Sequence, residues 1–173
     1  IYFALRQSTT KTGSTYETKL LIDASGKMLI GDSSSHTSDL LQIETPASGG
    51  GHGIQIRRND SNNDQTVGHI LFGNNTDTSL AGISAKTDGV TDSGALLFNT
   101  SATGGSNTER MRIDSSGNVG IGLTNPSAYF AENLVVAAAD EGGITIECGS
   151  TEKAYLMFAD GTSGSQAYRG YIG

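Results

Sequence analysis

The chain has 173 residues, a formal net charge of −7, 24 glycines, no tryptophan, 6% aromatic residues and one cysteine, Cys148. The acidic balance argues against nucleic acid as the main partner, because a phosphate-binding surface needs clustered Lys and Arg and the densest basic spots are only Arg57-Arg58 and Arg110 with Arg112. One cysteine excludes an intrachain disulfide framework, no stretch is apolar enough to insert in a membrane, and no secretory signal is visible.

Taken in chain order, the pattern is almost wholly β. Short apolar or alternating runs predict strands over 19–23, 27–30, 40–44, 53–58, 66–72, 79–85, 95–99, 109–114, 118–121, 133–137, 143–148 and 153–158, each bounded by Gly, Asn, Asp or Ser. Alternation puts Ile54 and Ile56 opposite Gln55 and Arg57, and Met111 and Ile113 opposite Arg110 and Arg112, which predicts one wet and one buried face. Cys148 falls in such a strand pattern and reads as a small buried apolar residue. The one helical candidate is 125–132, two turns at most, with Asn125 as cap and Pro126 at its first position. The polar, Gly-rich loops 33–38, 47–51, 60–65, 74–78, 100–107 and 160–165 separate these elements.

A ten-residue phrase occurs twice. Ile22-Asp23-Ala24-Ser25-Gly26-Lys27-Met28-Leu29-Ile30-Gly31 returns as Ile113-Asp114-Ser115-Ser116-Gly117-Asn118-Val119-Gly120-Ile121-Gly122, 91 residues later and identical at six of ten positions. Weaker echoes pair Gly53-Ile54-Gln55-Ile56 with Gly143-Ile144-Thr145-Ile146, and His69-Ile70-Leu71-Phe72 with Tyr155-Leu156-Met157-Phe158. Upstream, Tyr16–Leu20 stands where Thr108–Arg112 stands in the second copy. The division this implies is 1–22 as the end of a preceding repeat, 23–113 as one full repeat and 114–173 as a partial following repeat, in a piece of a longer polypeptide. Asp-x-Ser-Gly is a hairpin turn signal, in which Asp bonds its own backbone and Gly supplies positive φ. On this reading Gly26, Gly117, Gly120 and Gly122 serve the turns, and Ile22, Ile30, Ile113, Val119 and Ile121 form a buried seam.

The motif running from Thr108-Glu109-Arg110-Met111-Arg112-Ile113-Asp114 through Gly117-Asn118-Val119-Gly120-Ile121-Gly122 to Asn125-Pro126-Ser127-Ala128, preceded by Gly94–Thr100, resembles the recurring segment of bacteriophage tail-fibre proteins. The first copy departs from it, with Lys27-Met28-Leu29 for Asn-Val-Gly and no Asn-Pro after it. The resemblance implies a homotrimeric fibre of interwound β-prism or β-helix-like architecture, part of the virion and extracellular. It also implies contacts with other tail or baseplate proteins and attachment to a host cell-surface polysaccharide or protein. The composition points the same way: short strands with one thin apolar face need partners, and closure by identical chains protects strand edges.

No constellation predicts catalysis, a cofactor or a metal site. His36, His52 and His69 are widely spaced and belong to no metal motif. The acid pairs Asp60/Asp64, Asp88/Asp92 and Asp140/Glu141 are the candidates for a polysaccharide-degrading spike, and all lie in turn-forming sequence. Tyr155, Tyr168 and Tyr171 are the only aromatic grouping suited to sugars. The stretch 60–65 resembles a calcium loop but lacks the central Gly and closing Glu, and Gly49–Gly51 lacks the Lys-Ser/Thr of a phosphate loop. The expected role is a fibre shaft or spacer. The alternatives are the degrading spike and a monomeric β-solenoid adhesin, whose rungs would repeat every ~20–30 residues rather than near 90.

Overall fold

The computed structural model describes residues 20–31, 34–45, 53–159, 161 and 170–172. The described residues are essentially all-β, with no α-helix. The chain forms two compact units, Ile1–Gln55 and Ile56–Gly173. Their boundary falls inside the 23–113 repeat, so compact unit and sequence repeat divide the chain differently.

The first unit holds a three-stranded sheet of β1 (Leu20–Ile22), β2 (Met28–Ile30) and β3 (Leu41–Ile43), antiparallel between β1 and β2 and parallel between β2 and β3. The second holds a six-stranded sheet in sequential order: β4 (Thr66–Phe72), β5 (Ala81–Asp88), β6 (Val90–Ser101), β7 (Asn107–Ile113), β8 (Val119–Ile121) and β9 (Leu134–Val136). All neighbours are antiparallel except β8 and β9, which are parallel and joined by a crossover. A separate ribbon pairs β10 (Leu156–Phe158) with β11 (Gly170–Ile172). Both sheets are open.

The repeat is a repeat of topology. β1-β2-β3 and β7-β8-β9 share one plan, a hairpin followed by a parallel crossover strand, with Met28 opposite Leu41 and Val119 opposite Leu134. Likewise β10 pairs antiparallel with β11 as β4 does with β5, Phe158 facing Gly170 where Phe72 faces Ala81.

Register places side chains on faces, since directly opposed residues point the same way. One row across the six-stranded sheet reads Ile70, Ile83, Phe98, Met111, Ile121 and Val136, and the next reads Gly68, Ala85, Leu96, Ile113, Val119 and Leu134. This face is apolar, and none of its residues in these rows is buried: Ile70 is 52% exposed, Leu96 40% and Ile121 39%. The opposite face carries the buried strand residues Gly82, Ala95, Leu97, Arg112, Gly120 and Val135. The smaller sheet is built the same way: Leu20, Ile22, Met28, Ile30, Leu41 and Ile43 share the uncovered face, while Leu29 on the other is 1% exposed. The expected seam residues Ile22, Ile30, Ile113, Val119 and Ile121 thus lie together on the uncovered faces and are not buried within one chain.

Several expectations are corrected. Residues 53–58 and 143–148 form no strand, and Cys148 is therefore exposed. The 125–132 helix contracts to a single 3₁₀ turn, Pro126–Ala128, in the β8–β9 crossover; Asn125 makes no side-chain cap, and Pro126 is buried. β5 and β6 run on to a tight reversal at Gly89 (φ +77°), beyond the predicted 79–85 and 95–99. Apart from the exposed Val90 the extra residues are polar or Gly, and a backbone ladder needs no apolar side chains. β11 carries no expected strand. Of the other loops, 33, 47–51, 160 and 162–165 lie outside the described residues, as do residues 1–19, His52 and Tyr168.

Gly26 and Gly117 occupy the hairpin turns with φ of +82° and +86° and open space at the Cβ position. Gly122, by contrast, stands at the end of β8 with φ +79°, where a Cβ would collide with the carbonyl oxygen of Ala137; Gly31 stands likewise against Glu44. Gly117→Ala is expected to cost about 1–2 kcal/mol from the left-handed backbone alone. Gly122→Ala, which adds a backbone clash, should cost at least about twice that in urea unfolding. Equal losses would contradict the assignment.

Candidate functional site

The two hairpin turns are built alike. In the first, Asp23 Oδ1 accepts from the backbone N–H of Ser25 (2.8 Å) and Lys27 (2.9 Å). In the second, Asp114 Oδ1 accepts from Ser116 N–H (2.9 Å) and Asn118 N–H (2.8 Å). Each Asp therefore closes its own turn. The residue four positions later then ties the turn to the crossover. Lys27 Nζ donates to Ser35 Oγ (2.9 Å) and the Thr37 carbonyl (2.7 Å). Asn118 Nδ2 donates to Ser127 Oγ (3.3 Å) and Asp114 Oδ2 (3.1 Å), and Ser127 donates to the same carboxylate oxygen (3.0 Å). Lys27 for Asn118, a departure between the copies, keeps one job: a donor that holds the crossover against the hairpin.

Beside the second turn lies a charged cluster. Arg112, 7% exposed, makes a bidentate pair with Glu109, Nε to Oε1 at 2.6 Å and Nη2 to Oε2 at 3.0 Å, and its Nη1 lies 4.0 Å from Asp88 Oδ1. Residues three apart in a regular strand point to opposite faces. Here the β6–β7 register shifts between Phe98 and Asn99, leaving Arg110 without an opposite number, and this bulge brings Glu109 and Arg112 onto one face. Asp88, at the end of β5, accepts from Ser115 N–H at 2.9 Å and so links the β5–β6 reversal to the turn after β7.

Hydrogen bonding fixes the charge states. The bond from Ser115 N–H, with help from the Arg112 charge, holds Asp88 below the usual carboxylate range despite its partial burial. Burial pushes Asp114 up, but the Asn118 N–H, the Ser127 hydroxyl, the Asn118 amide and the Ser116 N–H outweigh it and hold this carboxyl low as well. The Glu109 pair raises Arg112 further. An open polar cleft of about 340 Å³, lined by Asp64, Lys86, Asp88, Arg112 and Asn125 among others, borders the cluster. A glycosidase acid needs a carboxyl held above its ordinary pKa; Asp88 and Asp114 are shifted the other way. The arrangement works as an ionic clamp.

The remaining candidates are scattered. Asp60 pairs with Arg58 at 2.6 Å, and Asp64 (φ +54°) accepts from Gly89 N–H at 3.1 Å, so the calcium-like loop spends its carboxylates on local structure. Asp92, Asp140 and Glu141 are exposed. His36 lies 3.8 Å from Glu44 in the first unit, and His69 is exposed on β4. Among the described residues no group of three or more His, Cys, Asp or Glu could hold a metal ion, and no helix is long and apolar enough to cross a membrane. Sequence reasoning put Arg112 on the wet face. The signal against that lies in the ten-residue phrase, whose offset of 91 sets Leu21 at the position of Arg112; the strand pairing agrees with this and not with the Leu20 that the upstream echo sets there.

No protein-family model matches the chain, and no curated protein matches it.

Arg112→Met leaves Glu109 in a mostly buried place without its partner and should destabilise the fold by about 3 kcal/mol, read by chemical unfolding. Because the folded-state pKa values of Asp88 and Asp114 lie below the unfolded ones, their contribution is present at neutral pH. It disappears as pH falls below about 4. Asp114→Asn should lower the neutral-pH melting temperature and flatten its decline in acid; an unchanged acid limb would contradict the clamp.

Proposed function

We propose that this chain is a structural segment of a bacteriophage tail fibre, a shaft or spacer in which three copies wrap their sheets around a common axis. The observation that carries the reading is the uncovered apolar face, present in both sheets and built by strict register. A monomer in water pays for every such row. Burying one half-exposed Ile, Leu or Phe contributes roughly 1 kcal/mol, and the rows hold many. Patches of this extent mark an association surface. The number three comes from the resemblance of the 108–128 motif to tail-fibre repeats; one-layer sheets with one apolar face each can close around a three-fold axis as a prism.

On this reading the mechanism is geometric. The trimer holds a receptor-binding part away from the particle, joins other tail or baseplate proteins at its ends, and works outside the host cell. Its polar loops offer contacts to a host surface polysaccharide or protein. The ionic clamp at Arg112 and the Asp23 and Asp114 turns keep each hairpin rigid, which a spacer under load requires. The net charge of −7 keeps a large assembly soluble.

Leu96→Lys places a charge on the uncovered face at a site 40% exposed in one chain, so it spares the fold of a single chain and attacks only the association. The variant is expected to lose the trimeric mass in light scattering while keeping the β circular-dichroism signal. Electron microscopy of the wild-type trimer should give thin rods, and round particles would contradict a shaft.

A further inference from the structure

Two stretches have strand-forming sequence and no strand. Gly53-Ile54-Gln55-Ile56 and Gly143-Ile144-Thr145-Ile146 occupy equivalent places in the repeat, 90 residues apart. Both alternate β-branched and polar residues, a pattern that favours strand. Yet neither is paired, and the backbone of 53–58 and of 143–148 exchanges no hydrogen bond with any described residue. Ile54 and Ile144 are 66% and 69% exposed. Side chains of the first stretch do meet β4 of their own chain, Ile56 resting against Gly68 and Arg58 donating to the Thr66 carbonyl at 3.1 Å, so what it leaves unpartnered is its backbone.

The coincidence is informative. The repeated hairpin forms strands within the chain in both copies, and so does the stretch shared by β4 and β10. This one stretch is left over in both. Among the described residues the sheets also keep unpaired edges: β1 and β3 each have only β2 beside them, β4 only β5, and β9 only β8. Unpaired edges and unpaired strand-forming segments are complementary in the plainest sense, since each lacks the ladder partner that the other supplies.

We infer that residues 53–58 and 143–148 are strands completed between chains, each adding to a free sheet edge of a neighbouring copy of this protein. The inference rests on the assembly proposed above and names how its chains interlock. A second copy is the fitting occupant because segments and edges belong to the same chain, so identical copies supply both in fixed proportion. A foreign partner would have to recognise the same pattern twice per chain, about 90 residues apart. The isoleucines also match what they would meet, since the neighbouring uncovered faces carry Ile, Leu, Val and Met. Main-chain pairing then fixes register, and the Ile side chains extend the apolar seam.

The test is hydrogen exchange by mass spectrometry on residues 1–173, with sedimentation of the same sample. The expected result is a trimer in which amides of 53–58 and 143–148 exchange at least ~100-fold more slowly than in an unfolded chain. Gln55→Pro and Thr145→Pro, which remove an N–H that is unbonded within one chain, should each lower the melting temperature of the trimer by several degrees. Thr145→Val, which keeps the N–H, should not. A trimer whose segments exchange at the unfolded rate would overturn the inference and leave the fibre reading standing. A monomer with freely exchanging segments would overturn both. A monomer with protected segments would overturn the inference, since the pairing would then lie within one chain.

Discussion

A sheet one layer thick has two faces, and the described residues of this chain cover only one of them, apart from Ile56 against Gly68. That constraint follows from alternation: with a side-chain period of two, the register that opposes Phe98 to Met111 and Met111 to Ile121 sends Leu97, Arg112 and Gly120 together to the other side. The crossover after β8 lies over that second side, where Pro126 is buried and Leu123 sits against Gly120. Among the described residues no α-helix packs on the other side, and the sequence has no tryptophan. The apolar rows stay open among the described residues, and the proposed assembly covers them with identical copies.

The two hairpins reach the same end by different side chains. In the first, Leu21 and Leu29 oppose each other across β1 and β2, and Leu29 is almost fully buried. In the second, those places hold Arg112 and Gly120. A Cβ on Gly120 would lie 3.1 Å from the Leu123 carbonyl oxygen and 3.5 Å from Arg112 Cγ, so the glycine makes room for the arginine stem and the crossover chain. An arginine buried this way needs Glu109, and Glu109 reaches it only through the Arg110 bulge. One exchange of Leu for Arg thus brings a smaller residue opposite, a bulge and an acid three positions earlier. The cost of burying the ion pair is offset only with all of these present.

Much of this was legible in the sequence and some was not, for physical reasons. The Asp-x-Ser-Gly turns were readable because Asp23 and Asp114 bond locally and Gly26 and Gly117 need positive φ. The strands around Ile70, Ile83, Phe98 and Ile121 were readable from short apolar runs between turn residues. The arms of β5 and β6 around Gly89 carry a single apolar residue, Val90, too little for a hydrophobic pattern, although Asp88-Gly89 is a strong hairpin dipeptide. Gly120 and Gly122 looked like turn glycines, but one makes room for Arg112 within β8 and the other lets Ala137 pass. The burial of Arg112 escaped because a bulge breaks the period on which side-chain placement depends. The alternation in 53–58 and 143–148 predicts strands, but pattern reports the propensity to pair, and pairing needs a partner.

A fibre shaft requires that copies of the chain cover the uncovered faces. Sedimentation equilibrium of residues 1–173, run over a wide range of protein concentration at neutral pH, measures that directly. The account predicts a single species of three times 17.9 kDa that dissociates only on dilution or unfolding. A folded monomer of 17.9 kDa that is stable at high concentration would contradict it.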